Sequence, residues 1–191
     1  MNSTIAQNSK IPLIHEFLNH HSTFALVNEF EIDAPLEQVW DVLIQPENWP
    51  QWWRYVESVE LIEAGGVNDL NALRKARWKT ALLYRVEFLV RTVIVEVPYN
   101  IILNTEGDVH GVGRWQLEST SKGTYLRYIW CIKFEKSWLR WFAPLLKPAF
   151  TWNHHKVMRA GANGLAQRLN SNLTSYRSIN LKSAKAQFEQ V

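Results

Sequence analysis

From residue 54 to residue 135 the chain reads as a succession of short runs that alternate apolar and polar residues. The runs occupy about 54–63, 72–81, 84–97, 100–109, 112–119 and 123–135. Their separators are short and rich in turn formers: Gly65-Gly66-Val67-Asn68-Asp69, Pro98-Tyr99-Asn100, His110-Gly111 and Ser121-Lys122-Gly123. Links this short join only antiparallel neighbours, because a parallel crossover needs a dozen residues or more. The pattern therefore favours an antiparallel meander.

The flanks complete the order. Phe24 to Asp33 alternates as a further strand, with Phe24, Leu26, Phe30 and Ile32 on one face and Glu29, Glu31 and Asp33 on the other. Asp33-Ala34-Pro35 is a helix-start signal, and Leu36, Val39, Trp40 and Leu43 follow at helical spacing. Pro46-Glu47-Asn48-Trp49-Pro50 opens a second short helical turn, ending near Trp53. From Ser137 to about Asn172 the period is helical, with Pro144 and Pro148 expected to break its first part. The fold class is α+β: a seven-stranded curved antiparallel sheet around a long C-terminal helix, with two short helices after the first strand. Such a sheet has one apolar face, and only the terminal helix is long enough to cover it. Residues 1–22 and 174–191 are polar and read as N- and C-terminal tails around one domain of 23–173.

Strand parity sorts the side chains. Tyr84, Val86, Phe88 and Val90 should face inward, opposite Arg85, Glu87 and Arg91. Leu126, Tyr128, Trp130, Ile132 and Phe134 form one face of the last strand, and Trp115 and Leu117 oppose Arg114, Gln116 and Glu118. Cys131 falls on the outward set, as an inert thiol rather than a nucleophile. On the long helix Phe150, His154, Val157, Met158, Gly161, Leu165 and Leu169 make one stripe, in which His154 is the single ionisable group. Gly161 and Gly164 weaken a helix, and close approach of helix to sheet accounts for them.

Composition narrows the chemistry. One cysteine in 191 residues excludes an internal disulfide, a thiolate zinc site and an all-cysteine iron–sulfur cluster. The histidines show no HxH or HExxH spacing, so no metal site is expected. No Walker loop, GxSxG or GxGxxG is present, and no cofactor is implied. Net charge is +3 without Lys/Arg blocks, and the cations of Leu73-Arg74-Lys75-Ala76-Arg77-Trp78-Lys79 divide over two strand faces. Solvated charge explains that tract better than contact with nucleic acid, which is not expected as a partner. Neither a signal peptide nor an apolar run of about 18 residues is seen, so a cytoplasmic location is expected. Ten Trp stand out, enough to fill a core or to line a cavity.

Phe30-Glu31-Ile32-Asp33-Ala34-Pro35 with Val39-Trp40, and then Asn48-Trp49-Pro50-Gln51-Trp52-Trp53, resemble the opening of the polyketide cyclase/dehydrase family. This family belongs to the START-related, birch-pollen-allergen-like (SRPBCC) superfamily. Gly107-Asp108-Val109-His110-Gly111-Val112-Gly113-Arg114-Trp115 resembles its GDxxGxGxW segment. Trp152-Asn153-His154-His155-Lys156-Val157-Met158-Arg159-Ala160-Gly161 with Gly164-Leu165 resembles its terminal-helix signature. The resemblance spans about 24–170 and implies a helix-grip fold enclosing a hydrophobic ligand cavity.

The candidate ligand-binding residues are Trp78, Tyr84, Phe88, Trp115, Tyr128, Trp130, His154 and Met158. Mostly apolar lining with a few polar tips suits a lipid, an isoprenoid or a polyketide-like aromatic. The expected function is binding or carriage of such a hydrophobic small molecule. The alternative is a polyketide cyclase/dehydratase in which His154 or Asp108 moves a proton; Asp108 beside His110 reads more simply as a hairpin-shaping hydrogen bond. Residues 137–148 place Trp138, Trp141 and Phe142 beside Lys136, Arg140 and Lys147, which reads first as the core-facing start of the long helix and also fits transient membrane contact during ligand exchange.

Overall fold

A computed structural model of the chain describes residues 24–81, 84–133 and 137–180, without the side chains of 24, 133, 137–147 and 180. The strands are β1 (Phe24–Ile32), β2 (Val56–Glu63), β3 (Leu73–Lys79), β4 (Arg85–Glu96), β5 (Asn100–Gly107), β6 (His110–Thr120), β7 (Gly123–Lys133) and β8 (Leu173–Asn180). Helix α1 (Leu36–Leu43) and a 3-10 helix (Pro46–Gln51) follow β1, and α2 runs from Ser137 to Arg168. All neighbouring strands are antiparallel, in the order β2-β3-β4-β5-β6-β7-β1-β8. The meander of six strands inferred from the short separators is present, and β1 closes against its last member.

The eighth strand departs from the sequence expectation of seven. Residues 174–180, read from their polarity as the start of a tail, pair with β1 from Ile32↔Leu173 to Leu26↔Asn180. An edge strand with one open side has no need of a regular apolar face. β8 is held instead by particular contacts: Tyr176 stacks on Phe30 at 6.2 Å, and the Arg177 guanidinium bonds the Glu29 carboxylate. The chain turns into it through Asn170, at φ 49, a left-handed position that asparagine tolerates at a helix end. The Ser171 N–H then donates to the Ala166 carbonyl at 2.9 Å.

Two further expectations need correction. Helix α2 is continuous through Pro144 and Pro148. Each proline removes one donor from the ladder, which a long helix bridged by the remaining bonds can accommodate. The membrane-contact expectation for 137–148 rests mainly on side chains outside those described. The sheet is also apolar on both faces. Ala25, Val27, Ile94, Ile102, Val112, Ile129 and Cys131 form a second buried cluster on the outer face, with Ile179 packed against it. Arg114 lies in that face between Ile102 and Ile129, 5% exposed, with its Nε donating to Asn100 Oδ1 at 2.8 Å.

The inner face carries the main core. Leu36, Val39, Trp40 and Leu43 bury the inner stripe of α1 against Phe30, Leu117 and Leu126, while Met158, Ala162 and Leu165 descend from α2. The glycines of α2 make room for the Trp52-Trp53 segment rather than for the sheet. A Cβ on Gly161 would lie 2.2 Å from Trp53 Cε2, and one on Gly164 would lie 1.9 Å from the Trp52 carbonyl oxygen. The Trp53 indole N–H donates to the Val157 carbonyl at 2.9 Å, pinning that segment to the helix.

Gly161→Ala gains about 1 kcal/mol of helix propensity but forces a methyl into the Trp53 ring. Overpacking of this kind costs about 1–3 kcal/mol. The expected result of urea unfolding is a net loss of stability, and a variant equal to wild type or more stable would contradict this packing.

Candidate functional site

Between the inner sheet face and the first half of α2's described side chains lies a cavity of about 140 Å³. That is roughly ten times the space that admits one water molecule. All eight side chains singled out from the sequence, from Trp78 to Met158, border it. Alternation in β4 places them: Tyr84, Val86, Phe88, Val90 and Thr92 reach the cavity, while Arg85, Glu87 and Arg91 pair outside with Glu57, Lys75, Arg77 and Glu63. Trp78, Val86, Phe88, Val90, Leu103, Tyr128 and Trp130 are only half-buried, and each borders the cavity. Apolar surface is thus left uncovered along the cavity wall.

Sequence parity missed part of the wall. Trp49 and Trp53, assigned only to the short helices, also border the cavity; Trp53 meets Trp78 edge-on at 4.9 Å. Arg74, grouped with the solvated cations, is buried at one end of it. Its Nε donates to Glu47 Oε1 at 2.7 Å, and its terminal nitrogens donate to both oxygens of the Asp69 carboxylate. Arg74 shares parity with Trp78, so the inward direction was legible; the two carboxylate partners, Asp69 from a 3-10 turn between β2 and β3 and Glu47 from the 3-10 helix after α1, were not.

The opposite end is formed by Trp130, Phe150, Asn153 and His154. Asn153 Oδ1 accepts the Ala81 N–H at 2.7 Å and ties α2 to the end of β3. The His154 ring stacks on Trp130, centroids 5.0 Å apart, and lies near Tyr128 at 6.5 Å. Tyr128 in turn packs on Trp115 at 4.5 Å. Gly113 leaves room for the tyrosine tip, since a Cβ there would stand 2.8 Å from its hydroxyl oxygen.

Behind His154 is a polar cluster that sequence reading overlooked. Asn28, fully buried on the inner face of β1, faces His154 Nε2 across 2.9 Å with its Nδ2. Its Oδ1 accepts from the Tyr176 hydroxyl at 3.0 Å and the Ser178 hydroxyl at 3.1 Å, and lies 3.0 Å from His155 Nδ1. The available signal was a lone amide between Leu26 and Phe30 on an otherwise apolar strand face.

Burial, reinforced by the neighbouring His155, pushes the His154 pKa down to about 3. Burial also raises the Tyr128 hydroxyl, and lifts the Cys131 thiol on the opposite face of the sheet to about 12. Asp108 stays outside the cavity: exposed, it accepts the Glu87 N–H at 3.1 Å and shapes the β5–β6 turn. The Asp108 branch of the proton-transfer expectation is therefore not supported by its position.

A neutral folded-state His154 has a consequence for stability. Between pH 6.5 and about 3 the unfolded chain binds a proton there that the folded chain refuses. Stability contributed by this site is complete above the unfolded pKa and declines as pH falls below it, by at most about 1.4 kcal/mol per pH unit. Urea midpoints measured from pH 7 to 5 should fall less steeply in His154→Gln than in wild type, and equal slopes would contradict a depressed His154.

Similarity to known proteins converges on this architecture. No curated protein matches the chain. Among solved structures, TTHA0849 from Thermus thermophilus superposes with a TM-score of 0.64 at 20% identity, covering 76% of this chain and 97% of the other. A conserved protein from Geobacillus kaustophilus gives 0.59 at 16% identity, with 81% and 98% covered. The di-domain ARO/CYC BexL of the BE-7585A biosynthetic pathway gives 0.65 at 15% identity, with 87% of this chain and 58% of that longer chain covered. At these identities the likeness is one of fold. The sequence itself matches the family described as polyketide cyclase / dehydrase and lipid transport over residues 23–170. With that match running from β1 to the end of α2, and with the expected sheet and helix in place, the chain belongs to the polyketide cyclase/dehydrase and lipid transport family.

Proposed function

We propose that the protein binds and carries a neutral, predominantly hydrophobic small molecule in the cavity between its sheet and α2. Family membership supports a ligand-binding or cyclase role. The observation that favours carriage is the character of the wall: apolar side chains with surface left uncovered, beside a histidine held neutral. Burial of ligand surface against Trp78, Phe88, Trp115 and Trp130 supplies affinity through the hydrophobic effect and aromatic contact. A charged ligand would lose its hydration, while the charged groups described on the wall are already paired, Arg74 with Asp69 and Glu47 and Lys79 with Glu57.

The cyclase reading asks for an acid or base near neutrality, and a histidine titrating near 3 is a poor one. Lipid, isoprenoid and polyketide-like aromatic ligands all suit such a wall.

The test is fluorescence titration with the neutral probe N-phenyl-1-naphthylamine, together with native mass spectrometry of freshly purified protein. Saturable binding at one site is expected, and Leu103→Trp, which fills part of the cavity, should weaken it at least about 10-fold while the protein stays folded. Absence of saturable binding in wild type would overturn carriage, as would unchanged affinity in the folded variant.

A further inference from the structure

Besides its apolar wall, the cavity presents a polar atom whose hydrogen-bonding sense is set from behind. Asn28 belongs to β1, its neighbours Tyr176 and Ser178 to β8, and His154 and His155 to α2, so three elements meet at one buried amide. In the structure the amide oxygen lies toward the two hydroxyls and His155 Nδ1, the Tyr176 hydroxyl also reaching the His155 carbonyl at 3.2 Å, and the amide nitrogen is directed at His154 Nε2. An amide N–H can only donate, so Nε2 accepts. A neutral imidazole carries one proton, and with Nε2 accepting, that proton is on Nδ1. The ring cannot easily turn away, being stacked on Trp130 at 5.0 Å and set edge-on to His155 at 5.7 Å. It borders the cavity, and among the described residues no partner bonds Nδ1.

Resting on the carriage reading above, we propose that His154 Nδ1–H is the donor that seats the polar end of the ligand. The cavity thereby selects a neutral molecule with an acceptor oxygen, a ketone or quinone-like carbonyl, over a hydrocarbon of the same shape. Asn28 is the positioning residue and does not touch the ligand; it holds the proton on the cavity side of the ring. A permanent imidazolium would also donate, but it would favour anions. The neutral tautomer favours an uncharged acceptor, in keeping with the apolar wall. The Tyr128 hydroxyl, packed over Gly113 close to the same ring, lies within the same polar end.

The experiment uses the full chain with two probes of matched outline, 2-acetonaphthone and 2-isopropylnaphthalene. ¹⁵N-histidine NMR at pH 7 reads the tautomer of His154 directly, and quenching of tryptophan fluorescence reads both affinities. The expected result is a proton on Nδ1, binding of the ketone about 10-fold tighter than the hydrocarbon, and a shift of the Nδ1 resonance with the ketone alone. His154→Phe, which keeps a stacked ring, should bring the two affinities together. If that variant does not fold, the wild-type tautomer and probe ratio still decide the matter. Equal affinities in wild type, or a proton on Nε2, would overturn the donor assignment while leaving carriage intact. Failure of both naphthalenes and of N-phenyl-1-naphthylamine to bind would overturn carriage, and the donor with it.

Discussion

Trp53 is the spacer on which the interior depends. Its indole is 2% exposed and lies between α2 and the sheet, bonded to the Val157 carbonyl on one side and meeting Trp78 and Trp115 on the other. The missing Cβ of Gly161 lets the ring come against the helix. A rigid bicyclic side chain fixed by a hydrogen bond resists compression better than a set of flexible aliphatic ones. The helix is thus drawn close to the Trp52-Trp53 segment and propped off the strands, and the remaining interior space becomes the cavity.

The electrostatics follow from that enclosure. Ionisable groups inside a low-dielectric wall either find a partner or lose their charge. Arg74 takes the first course, with Asp69 and Glu47 around its guanidinium. His154 takes the second, giving up its charge to burial while Asn28 satisfies one ring nitrogen. Among the described residues, the wall is polar at particular atoms while its charged groups, Arg74, Asp69 and Lys79, are each paired.

Much of this was legible in one dimension. The alternation of Tyr84, Val86, Phe88 and Val90 places each of them at the cavity, because side chains on a strand have no choice but to alternate. The helical stripe from His154 to Leu165 faces inward for the analogous reason. Three features were not legible. β8 lacks an apolar period, because an edge strand is held by individual pairs such as Arg177–Glu29. The register shift between Thr92 and Ile94 reverses parity within β4, so that Thr92 borders the cavity and Val95 joins the inner core. The polar cluster joins residues up to 150 positions apart, and no local pattern encodes such a meeting.

The sequence by itself determined the order of elements, the antiparallel meander and the inward face of most strands, since these depend on periodicity and on links too short for any other connection. Tertiary structure alone decided that the aromatic interior is hollow, that Trp49, Trp53 and Arg74 belong to its wall, and that Asn28 stands behind His154. Those outcomes depend on distances between elements. Packing of rigid rings against particular glycines sets such distances, and periodicity carries no information about them.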